Sequence, residues 1–298
     1  MSFHVVLGAG ATGTATARLL ADSGERVRQI TRRGTGVEHP LVELVAADAT
    51  DAARLTELVE GASTLINCAA PPYDRWPEEF PPLAAALLTA AGRTGAGYVM
   101  LGNHYGYGAV DGPLTEDLPM APTAVKGQVR AKMWTDALTS GVRVTEVRAS
   151  DFVGAGGESL FNLTVTPALL SGEPARYPGD LDAPHSWSFV GDVARALVAV
   201  SRDERAWGRA WHVPSAATIS PRELAVRLAE ATGAPEPVLE PLSAGELAAV
   251  GESVPVMAEV IEMLYLFDRP FVVDSSLTEQ TFDLKPTLLD DVLAGHLQ

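Results

Sequence analysis

The segment that decides the fold is FHVVLGAGATGTATARLLADSG, residues 3–24. It begins with a short apolar run that ends in glycine, which is typical of a buried strand. Ala11, Ala15, Leu19 and Leu20 then follow at helical spacing, and Gly24 is a suitable C-cap. The segment therefore predicts a strand, a tight turn and a helix, which together open a β–α–β unit.

The turn carries the pattern G-x-G-x-x-G at Gly8, Gly10 and Gly13. Glycines at these positions allow a tight turn and a close approach of the backbone to pyrophosphate, and the following helix N-terminus offers free N–H groups. The pattern alone is weak, and a merely tight turn is the alternative. Because it follows a strand and opens a helix, it predicts a dinucleotide-binding loop that includes Ala11 and Thr12.

Strand-like and helical runs alternate after this unit. The strand candidates are RVRQITR, LVELVAA, STLINCAA, GYVMLGN and VRVTEVRAS, and helical runs between them include DAARLTELVEG and PPLAAALLTAAGRTG. Such alternation indicates a parallel sheet covered by helices on both faces. We therefore predict an α/β protein with a Rossmann-type, doubly wound parallel sheet.

The alternation loosens after about residue 155, where turns and prolines become frequent. Helices are predicted for VGDVARALVAVS, SPRELAVRLAEATG and VPVMAEVIEMLYLF, and a strand for GRAWHVPS. Ser220 and Gly233 are suitable caps for the second of these helices. We predict a dinucleotide-binding domain over 1–158, to which 186–213 returns, and a small interleaved α/β substrate-binding domain over 159–185 and 214–298.

Charge and composition narrow the functional classes. A net charge of −16 disfavours binding to nucleic acid or anionic membranes, and no apolar run approaches the ~18 residues of a membrane span. The N-terminal segment lacks the features of a signal peptide. Cys68 is the only cysteine and lies in an apolar run, which predicts a buried thiol, and the six histidines have no metal-ligand spacing. We expect a cytoplasmic protein with a small-molecule substrate and no metal.

The end of the second strand bears on the choice of cofactor. An NAD site usually has Asp or Glu there to hold the ribose 2′-hydroxyl, whereas this chain has ITRRG. Arg32 and Arg33 offer guanidinium groups for a 2′-phosphate, although two solvated loop arginines are the alternative. The sequence therefore favours NADP over NAD.

Ligands of open α/β sheets bind at the carboxyl ends of the strands, so the residues there are candidates for the site. The candidates are Asp48, Ala69, Ala70, Asn103, His104, Tyr105, Tyr107 and Ser150. Asp48 suits an adenine amino group or a helix N-cap, and the small residues of CAAPP suit a ribose. For each polar side chain in GNHYGYG, packing explains its presence about as well as contact with substrate. Tyr73, His185 and Trp187 are candidate substrate contacts, with packing between domains as the alternative for the last two.

Several segments together resemble one enzyme family. GAGATG matches an atypical glycine motif, VMLGNHYGYG is similar to a strand that usually reads Ser-Ser-x-x-Val-Tyr-Gly, and RASDFVGAGG is similar to Arg-Pro-x-x-Val-Tyr-Gly-Pro. SFVGDVARALV and FDLKPTLLDDVL resemble later motifs. The chain thus resembles, over nearly its whole length, the extended and atypical short-chain dehydrogenases/reductases of the epimerase/dehydratase-like branch. The resemblance specifies the fold closely and the reaction only broadly.

The chain departs from this family at PTAVKGQVRAKMW, residues 122–134. The family carries Tyr-x-x-x-Lys here, where tyrosine passes a proton and lysine holds the nicotinamide ribose, with a Ser or Thr at the preceding strand end. The resemblance places Lys126 at the tyrosine, Arg130 at the lysine and Asn103 at the Ser/Thr. A shifted alignment places Gln128 and Lys132 there instead. No catalytic tyrosine remains in either alignment.

Lys126 and Arg130 are four residues apart and share a helix face. The like charge of Arg130 would lower the pKa of Lys126 toward neutrality, where a lysine can serve as a general acid, while Arg130 holds ribose hydroxyls. The alternative is that Lys126 is a solvated surface lysine or only a cofactor contact.

These observations favour an NADP-dependent oxidoreductase acting on a small carbonyl, enol or imine-like metabolite. Its proton would come from Lys126, Tyr105, Tyr107 or His104. One alternative is an epimerase, isomerase or dehydratase that uses its cofactor transiently, and another is a non-catalytic NADP-sensing protein. The resemblance also implies a homodimer built from helices near 83–94 and 123–140, although their apolar faces are equally expected to pack on their own sheet.

Overall fold

A computed structural model describes residues 3–295. The strands are β1 Phe3–Leu7, β2 Val27–Thr31, β3 Val42–Ala46, β4 Ala62–Asn67, β5 Gly97–Asn103, β6 Val144–Ala149, β7 Asp151–Val153, β8 Ala175–Pro178, β9 His185–Phe189, β10 Ala210–His212, β11 Ala217–Ile219 and β12 Leu239–Leu242. The α-helices are α1 Ala11–Asp22, α2 Ala52–Val59, α3 Trp76–Thr94, α4 Val125–Thr139, α5 Thr166–Leu170, α6 Val190–Arg202, α7 Pro221–Thr232, α8 Ala244–Gly251, α9 Pro255–Val260, α10 Ser276–Phe282 and α11 Leu289–Ala294. Short 3-10 helices cover Tyr73–Arg75, Tyr105–Tyr107, Glu204–Ala206 and Ile261–Leu266, and a π-helical turn covers Phe161–Val165.

Seven parallel strands, all within the described residues, form the main sheet in the order β10-β6-β5-β4-β1-β2-β3. Helices α1 and α6 pack on one face, and α2, α3 and α4 cover the other. The predicted Rossmann-type sheet is therefore confirmed. Because the strand order reverses between β1 and β4, the ligand crevice lies at the carboxyl ends of these two strands.

A second, smaller core lies beyond β6. It contains a sheet of β11, β9 and β7 and a pair of β12 with β8, packed around Trp187, Phe161 and Leu224. The chain returns to the main sheet through α6 and β10, and the Asp192 carboxylate ties α6 to Thr287 at 2.6–2.8 Å. The predicted domain boundaries remain a prediction, and their ends at residues 1–2 and 296–298 lie outside the described residues.

Local structure differs from expectation in two helices. The helix predicted from residue 81 begins at Trp76, since Trp76 and Phe80 are buried in the core below it. The single helix predicted for VPVMAEVIEMLYLF is α9 followed by a 3-10 helix. Glu259 lies near the end of α9 and Glu262 lies near the start of the 3-10 helix, and both contact the Lys126 ammonium.

The predicted dimer helices correspond to α3 and α4. Their large apolar side chains pack into the protein's own core, namely Phe80, Leu83, Leu87, Met133 and Trp134. Such packing on the protein's own sheet was the expected alternative to a dimer interface. The homodimer therefore rests on the resemblance alone and stays a prediction.

Candidate active site

The glycine loop has the shape that a pyrophosphate needs. Gly8 has a φ of +102°, in the left-handed region, and a Cβ atom on Gly13 would lie 2.5 Å from the Gly8 carbonyl oxygen. A Cβ on Gly10 would meet nothing within 4 Å, so the backbone there is open to a ligand. Helix α1 begins at Ala11, and the first-turn N–H groups of a helix lack intrahelical partners. The loop therefore fits the phosphates of a dinucleotide.

The segment after β4 runs beside this loop. The Ala69 nitrogen would lie 3.0 Å from a Cβ on Gly8, and it donates to the Asn67 side chain at 3.1 Å. Ala70 is exposed at the edge of the crevice. The small residues of this segment thus border the crevice at the predicted place. Beneath it, burial raises the pKa of the Cys68 thiol to about 12, so this thiol is protonated near neutral pH.

The adenosine side of the crevice lies beyond β2 and β3. Arg32 and Arg33 are exposed at the end of β2. The Asp48 carboxylate accepts hydrogen bonds from the Thr50 N–H and hydroxyl at 2.9 and 2.8 Å, which hold its pKa below the ordinary value, and the charge of Arg32 adds to this effect. Asp51, not Asp48, caps α2, so the N-cap alternative for Asp48 was wrong.

Two tyrosines follow neighbouring strands at the carboxyl edge of the main sheet. Tyr73 follows β4 and Tyr105 follows β5, where the Asn103 side chain accepts the Tyr105 N–H at 3.2 Å. Burial raises the pKa of both phenols. The negative charge of Asp151 raises the pKa of both phenols further.

Lys126 points into the same region and is only 1% exposed. Its ammonium group pairs with Glu259 and, at 2.9 Å, with Glu262, and it lies 4.5 Å from the centre of the Tyr73 ring. The surface-lysine alternative was therefore wrong. From the sequence we expected the like charge of Arg130 beside this lysine, whereas the lysine ammonium contacts two carboxylates.

Arg130 does not share this environment. Its guanidinium lies 4.5 and 4.4 Å from the ring centres of Trp76 and Phe80 and donates to the Leu101 carbonyl at 3.3 Å. The group is thus held in the packing between α3, α4 and β5. Its contact with a ribose stays a prediction.

The shifted alignment does not fit the structure. Gln128 is exposed, and the Lys132 side chain is 72% exposed and paired with Asp136 at 2.8 Å on the outer face of α4. Neither residue faces the crevice, so the alignment that places Lys126 at the tyrosine position is the one the geometry favours.

His104 and Tyr107 belong to a buried network. The Tyr107 hydroxyl accepts from Arg148 at 2.5 Å and bonds His212 Nε2 at 2.8 Å, and burial raises its pKa to about 12. His104 Nδ1 donates to the Ala149 carbonyl at 3.1 Å, and burial lowers the pKa of its ring well below the ordinary value. The prediction of these two residues as proton donors was wrong, because both side chains are enclosed by the core.

Three predicted site residues remain, namely Trp187, Ser150 and His185. Trp187 is fully buried and donates to the Ile219 carbonyl at 3.0 Å, so the predicted substrate contact was wrong. The buried Ser150 hydroxyl bonds that of Ser188 at 2.8 Å, which disfavours its predicted cofactor contact. His185 Nε2 donates to the Asp151 carboxylate at 2.9 Å, at the boundary of the two cores.

Sequence reasoning missed several residues that the fold brings to the site. They are Tyr177, Glu259, Glu262 and Tyr265. Two glutamates three apart in an otherwise apolar helical run were a usable signal for an inward-facing charge. Nothing local marked Tyr177.

The sequence profile of the NAD dependent epimerase/dehydratase family matches residues 4–213. The chain belongs to this family. Members are NAD-dependent enzymes of the short-chain dehydrogenase/reductase type, in agreement with the predicted resemblance, and they use a nicotinamide dinucleotide. No curated protein matches the sequence significantly.

Solved structures of similar fold cover almost the whole chain of this family member. WbmH of Bordetella bronchiseptica, in complex with NAD+, is 21% identical with a TM-score of 0.78 over 99% of this chain and 97% of that one. The dTDP-glucose 4,6-dehydratase of Bacillus anthracis, with NAD, is 17% identical with a TM-score of 0.81 over 99% and 94%. The UDP-glucose 4-epimerase of Thermotoga maritima, with UDP-glucose, is 17% identical with a TM-score of 0.78 over 99% and 97%. These likenesses establish the fold.

Two further findings concern residues 3–295. No helix there is long and apolar enough to cross a bilayer. No group of three or more His, Cys, Asp or Glu side chains in that range is arranged to hold a metal ion.

Proposed function

We propose that this protein is an NADP-dependent oxidoreductase acting on a small carbonyl, enol or imine-like metabolite. The observation that carries the proposal is the group of Lys126, Tyr73 and Tyr105 at the nicotinamide side of the crevice. This group places phenols, which can donate a proton, near a positively charged side chain at the strand ends where such folds bind ligands.

The cofactor would be held by residues that the fold already places around the crevice. The backbone of Gly8, Gly10 and the first turn of α1 would bind its phosphates. Arg32 and Arg33 would bind a 2′-phosphate, which supports NADP over NAD. When bound, the nicotinamide ring supplies hydride transfer.

The chain itself supplies the proton. Tyr105 is the proposed donor, because it follows β5 at the strand ends and burial keeps its phenol protonated near neutral pH. The Lys126 ammonium lies 4.5 Å from the centre of the Tyr73 ring, so it would place a positive charge at this end of the crevice. In this proposal the phenol follows β5, while Lys126 occupies the position on α4 where the family carries its tyrosine.

Tyr105→Phe tests this assignment. We expect turnover to fall ~10²–10⁴-fold, the usual range for a general acid, while the Kd for NADPH stays unchanged. Tyr98→Phe is the matched control, since Tyr98 lies near the opposite end of β5 and its hydroxyl has no partner among the described residues. Full activity of Tyr105→Phe would reject Tyr105 as the donor.

An epimerase or dehydratase is the second candidate, and the family match favours it. Such an enzyme returns its cofactor to the starting state in each cycle, so product forms without net consumption of NADPH. A homodimer, implied by the family resemblance, is part of the same proposal.

A further inference from the structure

Helix α4, which carries Lys126, has no cap of its own at its start. Its N-cap residue is Ala124, whose side chain has no hydrogen-bond acceptor, and its first turn, Val125 to Gly127, contains no acid. The first N–H groups of a helix lack intrahelical partners and favour a nearby negative charge. A carboxylate from elsewhere in the chain would therefore stabilise this end of α4.

Glu262, in the 3-10 helix Ile261–Leu266, supplies that carboxylate. Its oxygens accept the Val125 N–H at 2.6 Å and the Lys126 N–H at 3.3 Å, and one of them also accepts from the Lys126 ammonium at 2.9 Å. The Glu262 side chain is only 26% exposed, so solvent screens these contacts in part. One carboxylate thus holds both the start of α4 and the head group of its first-turn lysine.

The other partners of this ammonium do not share the second role. The Tyr73 ring lies 4.5 Å from it, and Glu259 accepts a hydrogen bond from it. Within residues 3–295, Glu259 accepts from no backbone N–H of α4. Removal of Glu259 would therefore loosen the head group alone, whereas removal of Glu262 would also uncap the helix.

The same 3-10 helix contacts the proposed proton donor. Tyr265, three residues after Glu262 and therefore on the same side of the 3-10 helix, donates to the Tyr105 carbonyl at 3.3 Å. The first turn of α4 packs on this carbonyl, since a Cβ atom on Gly127 would lie 2.6 Å from its oxygen. A shift at the start of α4 would therefore displace the Tyr105 backbone as well.

The opposite side of the 3-10 helix is fixed in the smaller core. Met263 and Leu266 are buried there, and the carbonyl of the next residue, Phe267, accepts the Asp180 N–H at 2.8 Å. The helix thus has an apolar side that belongs to the smaller core and a polar side that contacts α4 and the turn after β5. Through these contacts the smaller core sets the position of the proposed reacting group.

We propose that Glu262 is a positioning residue, which holds the first turn of α4, and with it Lys126 and the turn that carries Tyr105, in register with the smaller core. Such fixing matters, because a misplacement of about 1 Å can cost ~10²-fold in rate. The inference rests on the proposed function in taking Lys126 and Tyr105 as members of the reacting group.

The first measurement follows access to Lys126. The full chain is treated briefly with acetic anhydride, and mass spectrometry compares acetylation of Lys126, which is 1% exposed, with that of Lys132, whose side chain is 72% exposed. In Glu262→Ala the rate at Lys126 relative to Lys132 should rise ~10-fold, as expected for the loss of a helix cap together with an ion pair. Glu252→Ala, which removes an exposed carboxylate of the preceding segment, should leave this ratio unchanged.

The second measurement separates positioning from general stability. In Glu262→Ala the kcat for NADPH oxidation should fall ~10–10²-fold while the Kd for NADPH stays unchanged. Glu262→Gln should recover part of both losses, because its amide oxygen still accepts an N–H of α4. If Glu262→Ala does not fold, Glu262→Gln replaces it and should still raise the acetylation ratio above that of Glu252→Ala.

Unchanged protection of Lys126 in Glu262→Ala, or an equal rise in Glu259→Ala, would overturn the inference. NADPH oxidation with an unchanged kcat in Glu262→Ala would also overturn it, and would leave the proposed function intact. Protection of Lys126 that depends on Glu262 in a protein that does not oxidise NADPH would support the inference while contradicting the proposed function.

Discussion

Replacing Lys126 with methionine removes the charge that holds the C-terminal segment to α4. The variant keeps much of the aliphatic length but leaves Glu259 and Glu262 facing each other without the ammonium between them. Breaking a fully buried pair costs about 3–5 kcal/mol, and because both carboxylates are about a quarter to a third exposed we expect ~1–3 kcal/mol here. Turnover should also fall at least ~10²-fold, while NADPH still binds, since Lys126 is assigned to the chemistry and not to the phosphates.

The assay is urea unfolding followed by circular dichroism, with NADPH affinity measured on the same preparations. Lys132→Met is the matched control, because Lys132 lies on the same helix in an exposed ion pair and should change stability by less than ~0.5 kcal/mol. Adding Glu259→Gln and Glu262→Gln to Lys126→Met should recover part of the loss, since the repelling charges are then gone. Equal stability of Lys126→Met and Lys132→Met, together with full activity, would refute the assigned role of this lysine.

Three further predictions concern the cofactor, pH and assembly. Arg32→Ala should weaken NADPH by ~1.5–3 kcal/mol, as expected for a charge-assisted contact, and leave NADH nearly unchanged; calorimetry that finds equal affinity of the wild type for both cofactors would reject this. Burial lowers the pKa of His212 to about 4, so between about pH 6.5 and 4 the unfolded state binds more protons and stability falls as pH falls. The loss from His212 should reach ~2 kcal/mol at pH 5 in urea unfolding and should be smaller in His212→Gln; an unchanged pH slope would contradict the assignment. Light scattering should give a dimer at micromolar concentration, and a clean monomer would rule out the assembly that the resemblance implies.

Features set by neighbouring residues were predictable from the sequence. The glycine loop, the alternation of strands and helices in the N-terminal half and the caps of α7 depend on local patterns. Ser220 is the N-cap as expected and forms a capping box with Glu223, and Gly233 takes the left-handed conformation at the expected C-cap. The main sheet follows from the alternation of such segments.

Contacts between distant segments were not predictable in this way. The carboxylates that bind Lys126 lie 133 and 136 residues further along the chain, and no local pattern pairs them with it. GNHYGYG shows the same limit, because Tyr105 lines the cleft while His104 and Tyr107 are buried in the core. The single sequence places all three at a strand end but does not show which way each side chain points.

The stoichiometry of cofactor use tests the proposed function most directly. Purified protein is incubated with NADPH and small carbonyl and imine compounds, and NADPH oxidised is compared with product formed. The account predicts one NADPH consumed for each molecule of product, with this consumption lost in Tyr105→Phe and retained in Tyr98→Phe. Product formed without net loss of NADPH, or NADPH bound without any product, would contradict it.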